Sequence, residues 1–272
     1  MGKKITPFSP LPVCLMLALS FFLISLDATE IHRWNFTQGT GTLATDSINS
    51  SNLYLMNMSN ANWSLDTPSG KDYSLQFDGV DEYLSLVNQD SIILQSTSNF
   101  SVSLWYKGTE TRTNTASTLV GRGLISWDSN SIWAALDIKD GKPAYTHYDG
   151  SWTSNIIGSN SIADNQWHNI TFVNQSNQMG YLYIDGSLVS SGQSILNNNT
   201  MGFRLNHFMR TYSSVYTSGK LYDIRIFNEA LTQQSLNTMI QETSSVPEPA
   251  SIILLGIAAL LLVSTKWVLA RH

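Results

Sequence analysis

Short segments in which apolar and polar residues alternate recur between residues 29 and 243. In Phe100–Lys107 every second residue is apolar, and side chains along a β-strand point alternately to its two faces, so this segment predicts a strand with one buried face. Three further segments have the same pattern: 169–173, 180–184 and 221–227. Asp185-Gly186 predicts a hairpin turn, and residues 229–240 have helical spacing. The pattern predicts an all-β, antiparallel two-sheet sandwich with one short docked helix.

The beginning of the chain follows a different pattern. Lys3 and Lys4 precede an apolar stretch over residues 11–24, and small residues follow up to Ala28. A basic start, an apolar core and a small-residue exit are typical of a secretory signal peptide. We therefore expect residues 1–28 to be removed near Ala28 when the protein is exported.

The chain ends in a second apolar segment, over about residues 250–270. A helix of about 20 apolar residues is long enough to cross a bilayer. Lys266 and Arg271 lie at the end of this segment, where basic residues favour the cytoplasmic side. Residues 244–272 therefore predict a C-terminal region with a transmembrane helix, and on composition alone this helix is a plain membrane anchor.

Val246, Pro247, Glu248 and Pro249 stand directly before this apolar segment. Each proline lacks a backbone N–H and biases the preceding residue toward extended geometry, so the tetrad is a stiff, extended peptide with one carboxylate. The tetrad, the apolar helix and the basic end together resemble the PEP-CTERM sorting signal of Gram-negative bacteria. The resemblance implies recognition by an exosortase, a transpeptidase-like membrane enzyme that processes proteins for release or attachment outside the cell.

Composition excludes several classes of protein. Charged residues make up 13% of the chain, and 20 acidic against 15 basic residues give a net charge of −5, so a nucleic-acid partner is not expected. Cys14 is the one cysteine and lies in the predicted signal peptide, which excludes a disulfide framework and a cysteine-based zinc site. Neutral polar residues together with 8 Trp and 11 Tyr are common in exported all-β proteins.

Several motifs follow one another through the middle region: Trp34-Asn35-Phe36, Leu75–Leu84 with Phe77-Asp78-Gly79, Gln166-Trp167-His168, Tyr183–Gly186 and Gly219–Leu231. In this order they resemble the laminin-G-like, concanavalin A-like jelly rolls. The resemblance implies two curved antiparallel sheets over residues 29–243. It also implies an extracellular module that binds carbohydrate or a matrix protein. Together with the resemblance to the sorting signal, this implies a place at the cell surface or in the extracellular matrix of a Gram-negative bacterium.

The same resemblance raises the question of calcium, although no cofactor is required. Many laminin-G-like domains hold a calcium ion at a sheet rim, and Asp46 and Asp223 are the positions here that match such sites best. Tyr222 stands where family members often carry a further acid. The alternatives are an Asx turn at Asp46 and a surface ion pair between Asp223 and Arg225.

Aromatic residues are the candidates for ligand contact. Exposed Trp and Tyr rings stack on sugar rings, and Tyr148 and Trp152 lie in an aromatic-rich stretch. Trp105 lies opposite the apolar face of its predicted strand. We expect Trp105, Trp152 and Tyr148 to face a ligand, and the alternative for each residue is a place in the core.

No catalytic motif is visible in the sequence. The paired acidic motif of laminarinase-like hydrolases, the nucleophile elbow and the phosphate-binding glycine loop are all missing, so we expect no enzymatic activity. Three functions stay open in the order in which the sequence favours them. The first is a glycan-binding module, the second is a structural or adhesive matrix protein without a glycan site, and the third is a glycoside hydrolase.

Overall fold

A computed structural model describes residues 29–86, 92–95, 97–112, 122–129, 132–148, 152–194, 202–210 and 215–244. These residues form two antiparallel β-sheets that share one apolar core, with a helix on the outside of the first sheet. The all-β sandwich predicted from the alternating pattern is confirmed, and it is consistent with a jelly roll. The strand spacing alone indicated this architecture because each half-buried sheet needs a second layer to cover its apolar face.

The described strands all pair antiparallel. In chain order they are β1 (Glu30–Trp34), β2 (Leu43–Ala44), β3 (Leu53–Met56), β4 (Trp63–Ser64), β5 (Ser74–Asp78), β6 (Tyr83–Leu86), β7 (Ile93–Gln95), β8 (Phe100–Lys107), β9 (Arg122–Ser129), β10 (Ile132–Lys139), β11 (Lys142–Tyr148), β12 (Trp152–Ile157), β13 (Trp167–Asn174), β14 (Met179–Ile184), β15 (Ser187–Gln193), β16 (Gly202–Phe208) and β17 (Ser218–Phe227). A short 3₁₀ helix, Asn60–Asn62, precedes β4.

The strands divide into two sheets, which we call sheet 1 and sheet 2. Sheet 1 has the order β15-β14-β13-β8-β17-β5-β4, and β1 also pairs with β17. Sheet 2 has the order β12-β11-β10-β9-β16-β6-β3-β2, and β7 also pairs with β16. Neighbouring strands are therefore often distant in sequence, so the sandwich forms through long-range pairing.

β8 lies in the middle of sheet 1 and has the bounds that the sequence predicts. Its even-numbered residues, Phe100 to Tyr106, all belong to the core between the sheets. Its odd-numbered residues take the outer face, yet Ser101 and Ser103 are buried there as well. Other parts of the chain must therefore cover the outer face of sheet 1.

Aromatic side chains from both sheets meet in the core. Tyr145 of β11 stacks on Phe172 of β13, with ring centroids 4.2 Å apart and planes 4° from parallel. Trp34 of β1 meets Phe208 of β16 edge-on, with centroids 5.6 Å apart. The Nε1 of Trp34 donates a hydrogen bond of 2.8 Å to the carbonyl of Ser51, so this buried ring leaves no unpaired N–H. Each ring pair joins one sheet to the other.

The helix α1 (Gln233–Ser244) packs on the outer face of sheet 1. The sequence correctly predicted a helix here, but the predicted bounds, 229–240, begin and end four residues before those of α1. The hydroxyl of Thr232 accepts a hydrogen bond of 3.1 Å from the backbone N–H of Ser235, so Thr232 caps the helix, which begins at Gln233. The apolar cluster that joins α1 to the sheet contains Val173, Phe227, Leu231, Leu236 and Met239.

The hairpin predicted at Asp185-Gly186 is confirmed, since β14 and β15 pair across it. Both turn residues have positive φ, 51° and 78°, which is typical of the type I′ turns that suit two-residue hairpins. Asp185 also accepts hydrogen bonds from the backbone of Asn169 at 2.8 Å and from Nδ1 of His168 at 2.8 Å. The turn is therefore tied to β13 by its own side chain.

His168 lies between two carboxylates, Asp185 at 2.8 Å and Asp164 at 3.2 Å. Burial lowers the pKa of His168, but the hydrogen bonds and charges of Asp185 and Asp164 raise it more, so its pKa lies above the usual value of 6.5. The folded protein therefore favours the charged imidazolium. The ion pairs hold the start of β13 against the turn that follows β14.

The predicted signal peptide (1–28), the sorting motif and the transmembrane helix (about 250–270) lie outside the described residues. Within the described part of the chain, no helix has both the length and the hydropathy that a membrane crossing requires. The helix α1 has 12 residues and is amphipathic, with Leu236, Met239 and Thr243 buried. Its role in the described domain is to cover sheet 1.

Gly219 of β17 provides a test of the close packing in sheet 1. Its φ is +132°, and an added Cβ would lie 2.6 Å from Cε2 of Tyr106 and 2.7 Å from the carbonyl oxygen of Lys107. We expect Gly219→Ala to lower the free energy of unfolding by about 2–4 kcal/mol, because backbone strain and overpacking add. Urea denaturation measures this change.

The control is Gly70→Ala, where φ is +66° but no atom lies within 4 Å. The expected decrease in its free energy of unfolding is about 1 kcal/mol. Equal losses in the two variants would contradict the packing described here.

The pKa of His168 predicts a pH dependence of stability. Because this pKa is raised in the folded state, the stabilisation is fully present below the unfolded pKa of 6.5 and is lost as the pH rises through the higher folded pKa. The free energy of unfolding should therefore fall as the pH rises from about 6.5 into the mildly alkaline range. Urea titrations across this range measure it, and His168→Gln should flatten the slope. A variant that retains the slope of the natural protein would show that another group is responsible.

Candidate functional site

The outer face of sheet 1 carries rows of polar and aromatic residues. One row consists of the successive Cα partners Trp167, Lys107, Lys220 and Gln76 on β13, β8, β17 and β5. The next row contains Asn169, Trp105 and Tyr222. Both rows lie toward the end of the sheet that α1 leaves uncovered, because the apolar cluster of the helix reaches Val173 and Phe227 at the other end.

The segment of residues 65–73, between β4 and β5, crosses this part of the outer face, and we call it the strap. Its Asp66 Oδ2 accepts a hydrogen bond of 2.7 Å from Nζ of Lys220 and lies 2.9 Å from Nζ of Lys107. Its Oδ1 accepts a bond of 3.0 Å from Nε1 of Trp167. Burial raises the pKa of Asp66, but these three donors lower it more, so the pKa lies well below its usual value. One carboxylate thus pins the strap to three residues of the first row.

Trp105 lies in the second row, next to this arrangement, and is buried. The strap also reaches Tyr222, whose hydroxyl lies 3.0 Å from Oγ of Ser69, and Trp105 is the register partner of Tyr222. Trp105 is only 6% exposed. The sequence correctly placed it opposite the apolar face of β8, but the expectation that it faces a ligand does not agree with this burial. The reason is that the strap turns an outer face into a second buried layer.

A polar cavity of about 340 Å³ opens beside the strap, at the ends of β5, β8 and β17. Lys107, Lys220, Gln76 and Asn165 contribute ammonium and amide groups to its lining. Gly108 and Gly219 form part of its floor, and a Cβ at either glycine would collide with Tyr106. This part of the cavity wall is therefore close-packed backbone, and polar side chains surround it.

Asp46 is surrounded by hydrogen-bond donors. Its Oδ2 lies 2.6 Å from Nδ1 of His32, and its Oδ1 accepts bonds of 3.0 Å from the backbone N–H groups of Arg33 and Ile48. Burial raises the pKa of Asp46, but these bonds outweigh it and lower the pKa. The bond from Ile48 closes an Asx turn, which was the alternative to a metal ligand at this position.

Asp223 lies between two guanidinium groups. Nε of Arg33 donates to its Oδ1 at 2.7 Å, and Nε of Arg225 donates to its Oδ2 at 2.8 Å. Thr243 of α1 adds a hydrogen bond of 3.3 Å to Oδ2. The ion pair with Arg225 was the expected alternative to a metal ligand, but it is buried and not on the surface, with Asp223 only 2% exposed. This cluster joins β1, β17 and α1.

Neither Asp46 nor Asp223 fits a calcium site. Calcium takes six to eight oxygen ligands whose lone pairs face the ion, whereas both carboxylates already face N–H donors. In the part of the chain that the structure describes, no three His, Cys, Asp or Glu side chains converge in a way that could hold a metal. The donors around the two carboxylates explain their conformation without an ion.

Tyr148 and Trp152 lie in a different place, on sheet 2. They are Cα partners on β11 and β12, and Tyr148 is also the partner of Trp133 on β10. The row continues through Asp128 on β9 to Arg204 on β16. The structure describes the backbone of these residues, and their registers place three aromatic positions side by side across three strands.

Sequence reasoning missed Asp66, Lys107 and Lys220 as a group. They are far apart along the chain, and no local motif joins them. Alternation in Phe100–Lys107 placed Lys107 and Trp105 on one face, which was the only available signal. The predicted sorting residues Val246–Pro249 lie outside the described residues, so the structure does not place them.

Comparison with solved structures finds the same fold in binding domains and enzymes. Domain 4 of AbnA, an extracellular GH43 arabinanase from Geobacillus stearothermophilus determined with arabinotriose, is 16% identical with a TM-score of 0.60, covering 79% of this chain and all of that one. The binding domain of botulinum neurotoxin DC, determined with rat synaptotagmin II, is 16% identical with a TM-score of 0.58, covering 79% of this chain and 51% of that one. Trypanosoma rangeli sialidase is 13% identical with a TM-score of 0.52, covering 79% of this chain and 33% of that one.

The chain therefore spans about half of the toxin domain and a third of the sialidase, and at these identities the similarity concerns the fold. A comparison with curated proteins finds no match. The sequence profile of the laminin-G-like family described as the concanavalin A-like lectin/glucanases superfamily matches residues 78–237, more than half of the chain. This match agrees with the order of motifs and with the two-sheet sandwich. The chain belongs to the concanavalin A-like lectin/glucanases superfamily.

Proposed function

We propose that this protein is an exported, non-catalytic module that binds extracellular carbohydrate through sheet 2. The observation that carries the proposal is the register that makes Trp152, Tyr148 and Trp133 neighbours across β12, β11 and β10. Residues opposite one another on adjacent antiparallel strands share one face of a sheet. Aromatic residues at neighbouring positions on adjacent strands suit successive sugar rings, and Asp128 and Arg204 occupy positions in the same row.

The fold supports a binding role. A domain of the same fold was determined with arabinotriose and another with synaptotagmin II. A protein ligand without a glycan site is the alternative within the same class of function. The aromatic row favours the glycan, because three adjacent aromatic positions offer a repeated stacking surface for a repeated ligand.

A glycoside hydrolase is the second candidate, and one observation favours it. Glu30 and Glu242 line a common cavity of about 180 Å³, and burial raises the pKa of Glu30, as a general acid requires. However, Arg225 stands between them, 3.8 Å from Glu30 and 3.7 Å from Glu242. Its guanidinium lies against both carboxylates, and its charge favours the ionised form of Glu30, whereas a general acid must be protonated. We therefore favour a non-catalytic module.

Export and sorting belong to the same proposal. Residues 1–28 direct export, and Val246–Pro249 with the following apolar segment form the signal that an exosortase reads. The described domain ends at Ser244, two residues before Val246. Its first and last strands meet at one edge, where the backbone N–H of Asn228 donates to the carbonyl of Thr29. The protein thus acts in the cell envelope, at the surface or in the matrix of a Gram-negative bacterium.

Substitution of the aromatic row tests the glycan proposal. Trp152→Ala and Tyr148→Ala should each weaken binding to the polysaccharide identified in a screen of soluble glycans by about tenfold, because each removes one stacking surface. Affinity gel electrophoresis of the full-length protein measures the change. The control is Tyr54→Ala, also on sheet 2, whose side chain is exposed at 45% but which lies far along the sheet on β3. If all three variants bind as the natural protein does, the ligand does not contact this row.

Glu248→Ala tests the sorting proposal. If an exosortase reads the carboxylate between the two prolines, the variant should accumulate in the membrane fraction at its unprocessed length. Fractionation and immunoblotting of the producing cells measure both properties. Glu242→Ala, in α1 just before the motif, is the matched control and should be processed normally. Normal processing of Glu248→Ala would show that the carboxylate is not what the enzyme reads, and full length in the natural protein as well would indicate a plain membrane anchor.

A further inference from the structure

The polar cavity beside the strap has no role in the proposed site on sheet 2. It lies on the outer face of sheet 1, at the ends of β5, β8 and β17. Its volume of about 340 Å³ is at the lower end of the range for small-molecule sites, which is about 300–1,000 Å³. A cavity of this size accommodates a small ring-shaped ligand.

Two ammonium groups dominate one side of the cavity. Lys107 and Lys220 both contact the same oxygen of Asp66, at 2.9 Å and 2.7 Å. An ammonium group has three N–H donors, so each lysine uses one on Asp66 and, among the described residues, keeps others for a ligand. Two positive charges face one negative charge, which leaves this side with a net charge of +1. The lysine side chains are 21% and 20% exposed, so both are largely packed, and both residues line the cavity.

The rim supplies neutral hydrogen-bonding groups. Gln76 and Asn165 contribute amides, and Thr109 contributes a hydroxyl. Asn165 is held in place because its backbone N–H donates a bond of 3.0 Å to the carbonyl of Gly108. Amides and hydroxyls both donate and accept, which is what the hydroxyl groups of a sugar ring require.

The opposite side of the cavity carries a negative charge. Asp78 lines it, and its Oδ1 accepts hydrogen bonds from the backbone N–H groups of Val80 at 2.7 Å and Asp81 at 3.4 Å. Glu82 accepts a bond from the backbone N–H of Asp78, so it adds a second carboxylate to this turn. The cavity is therefore polarised, with ammonium groups on one side and carboxylates on the other. It favours a ligand with one negative charge at one end and disfavours a densely sulfated one.

We propose that this cavity binds a single carboxylate-bearing sugar unit of an acidic polysaccharide. Its carboxylate replaces part of the contact that Asp66 makes with Lys107 and Lys220, and its hydroxyl groups bond to Gln76 and Asn165. This site is independent of the aromatic row because the two lie on different sheets. A protein with both sites can hold two polymer strands, one on each face of the sandwich.

Calorimetric titration of the full-length protein with trigalacturonic acid tests the proposal, and its methyl ester is the neutral probe. Lys220→Gln should weaken binding of the acid by about tenfold, whereas Asp66→Asn should strengthen it, because it removes the carboxylate that competes with the ligand. A purely structural role of this cluster predicts a loss for both variants. The ester should bind at least tenfold more weakly than the acid, and rising salt should weaken binding of the acid alone.

Lys71→Gln is the matched control, since Lys71 is an exposed lysine of the strap that does not line the cavity, and it should bind normally. Thermal unfolding checks each variant, and Gln76→Ala, at an exposed rim position, replaces Lys220→Gln if that variant does not fold.

Equal binding of acid and ester, or weaker binding by Asp66→Asn, overturns the proposal. The proposal is also overturned if Trp152→Ala weakens binding of the acid and Lys220→Gln does not, because that result would place the acid on sheet 2. If Trp152→Ala binds the acid normally but has lost its polysaccharide, both sites are supported independently.

Discussion

Sheet 1 has to bury both of its faces, and the rest of the structure follows from this constraint. Its inner face contributes to the shared core, while its outer face carries hydroxyl and amide side chains that are themselves buried. Buried hydroxyls and amides are costly unless they are hydrogen-bonded. Oγ of Ser103 accepts bonds from Asn169 at 3.0 Å and Thr171 at 2.8 Å, and Ser101 donates to the carbonyl of Glu229 at 2.8 Å. Helix α1 can therefore cover this end of the sheet without leaving polar atoms unpaired.

In two places, a carboxylate paired with two cations holds another segment of the chain against the outer face of sheet 1. Asp66 lies between two lysines and pins the strap, and Asp223 lies between Arg33 and Arg225 and pins β1 and α1 to β17. A carboxylate shared by two cations satisfies both, and its removal would leave two like charges next to each other. The contact that holds the strap is also the contact that gives the cavity its charge. In the proposed site, ligand binding and attachment of the strap would involve the same three side chains.

The two sheets offer different surfaces. Sheet 2 carries a row of aromatic positions suited to stacking, and sheet 1 carries a small polar cavity suited to one charged unit. Both ends of the described domain lie by the edge strand β1, where Thr29 meets Asn228. The aromatic row and the cavity lie on different sheets of the sandwich.

The sequence determined the elements that depend on local pattern. Alternation set the bounds of Phe100–Lys107, and Asp185-Gly186 specified its own turn because few residue pairs accept positive φ at both positions. Local pattern could not show that Trp105 is buried, because the strap (residues 65–73) reaches the neighbouring Tyr222 only after folding. The charge of the cavity likewise comes from Asp66, Lys107 and Lys220, which long-range strand pairing brings together. Periodicity reports which face a side chain takes, and only the tertiary structure decides what covers that face.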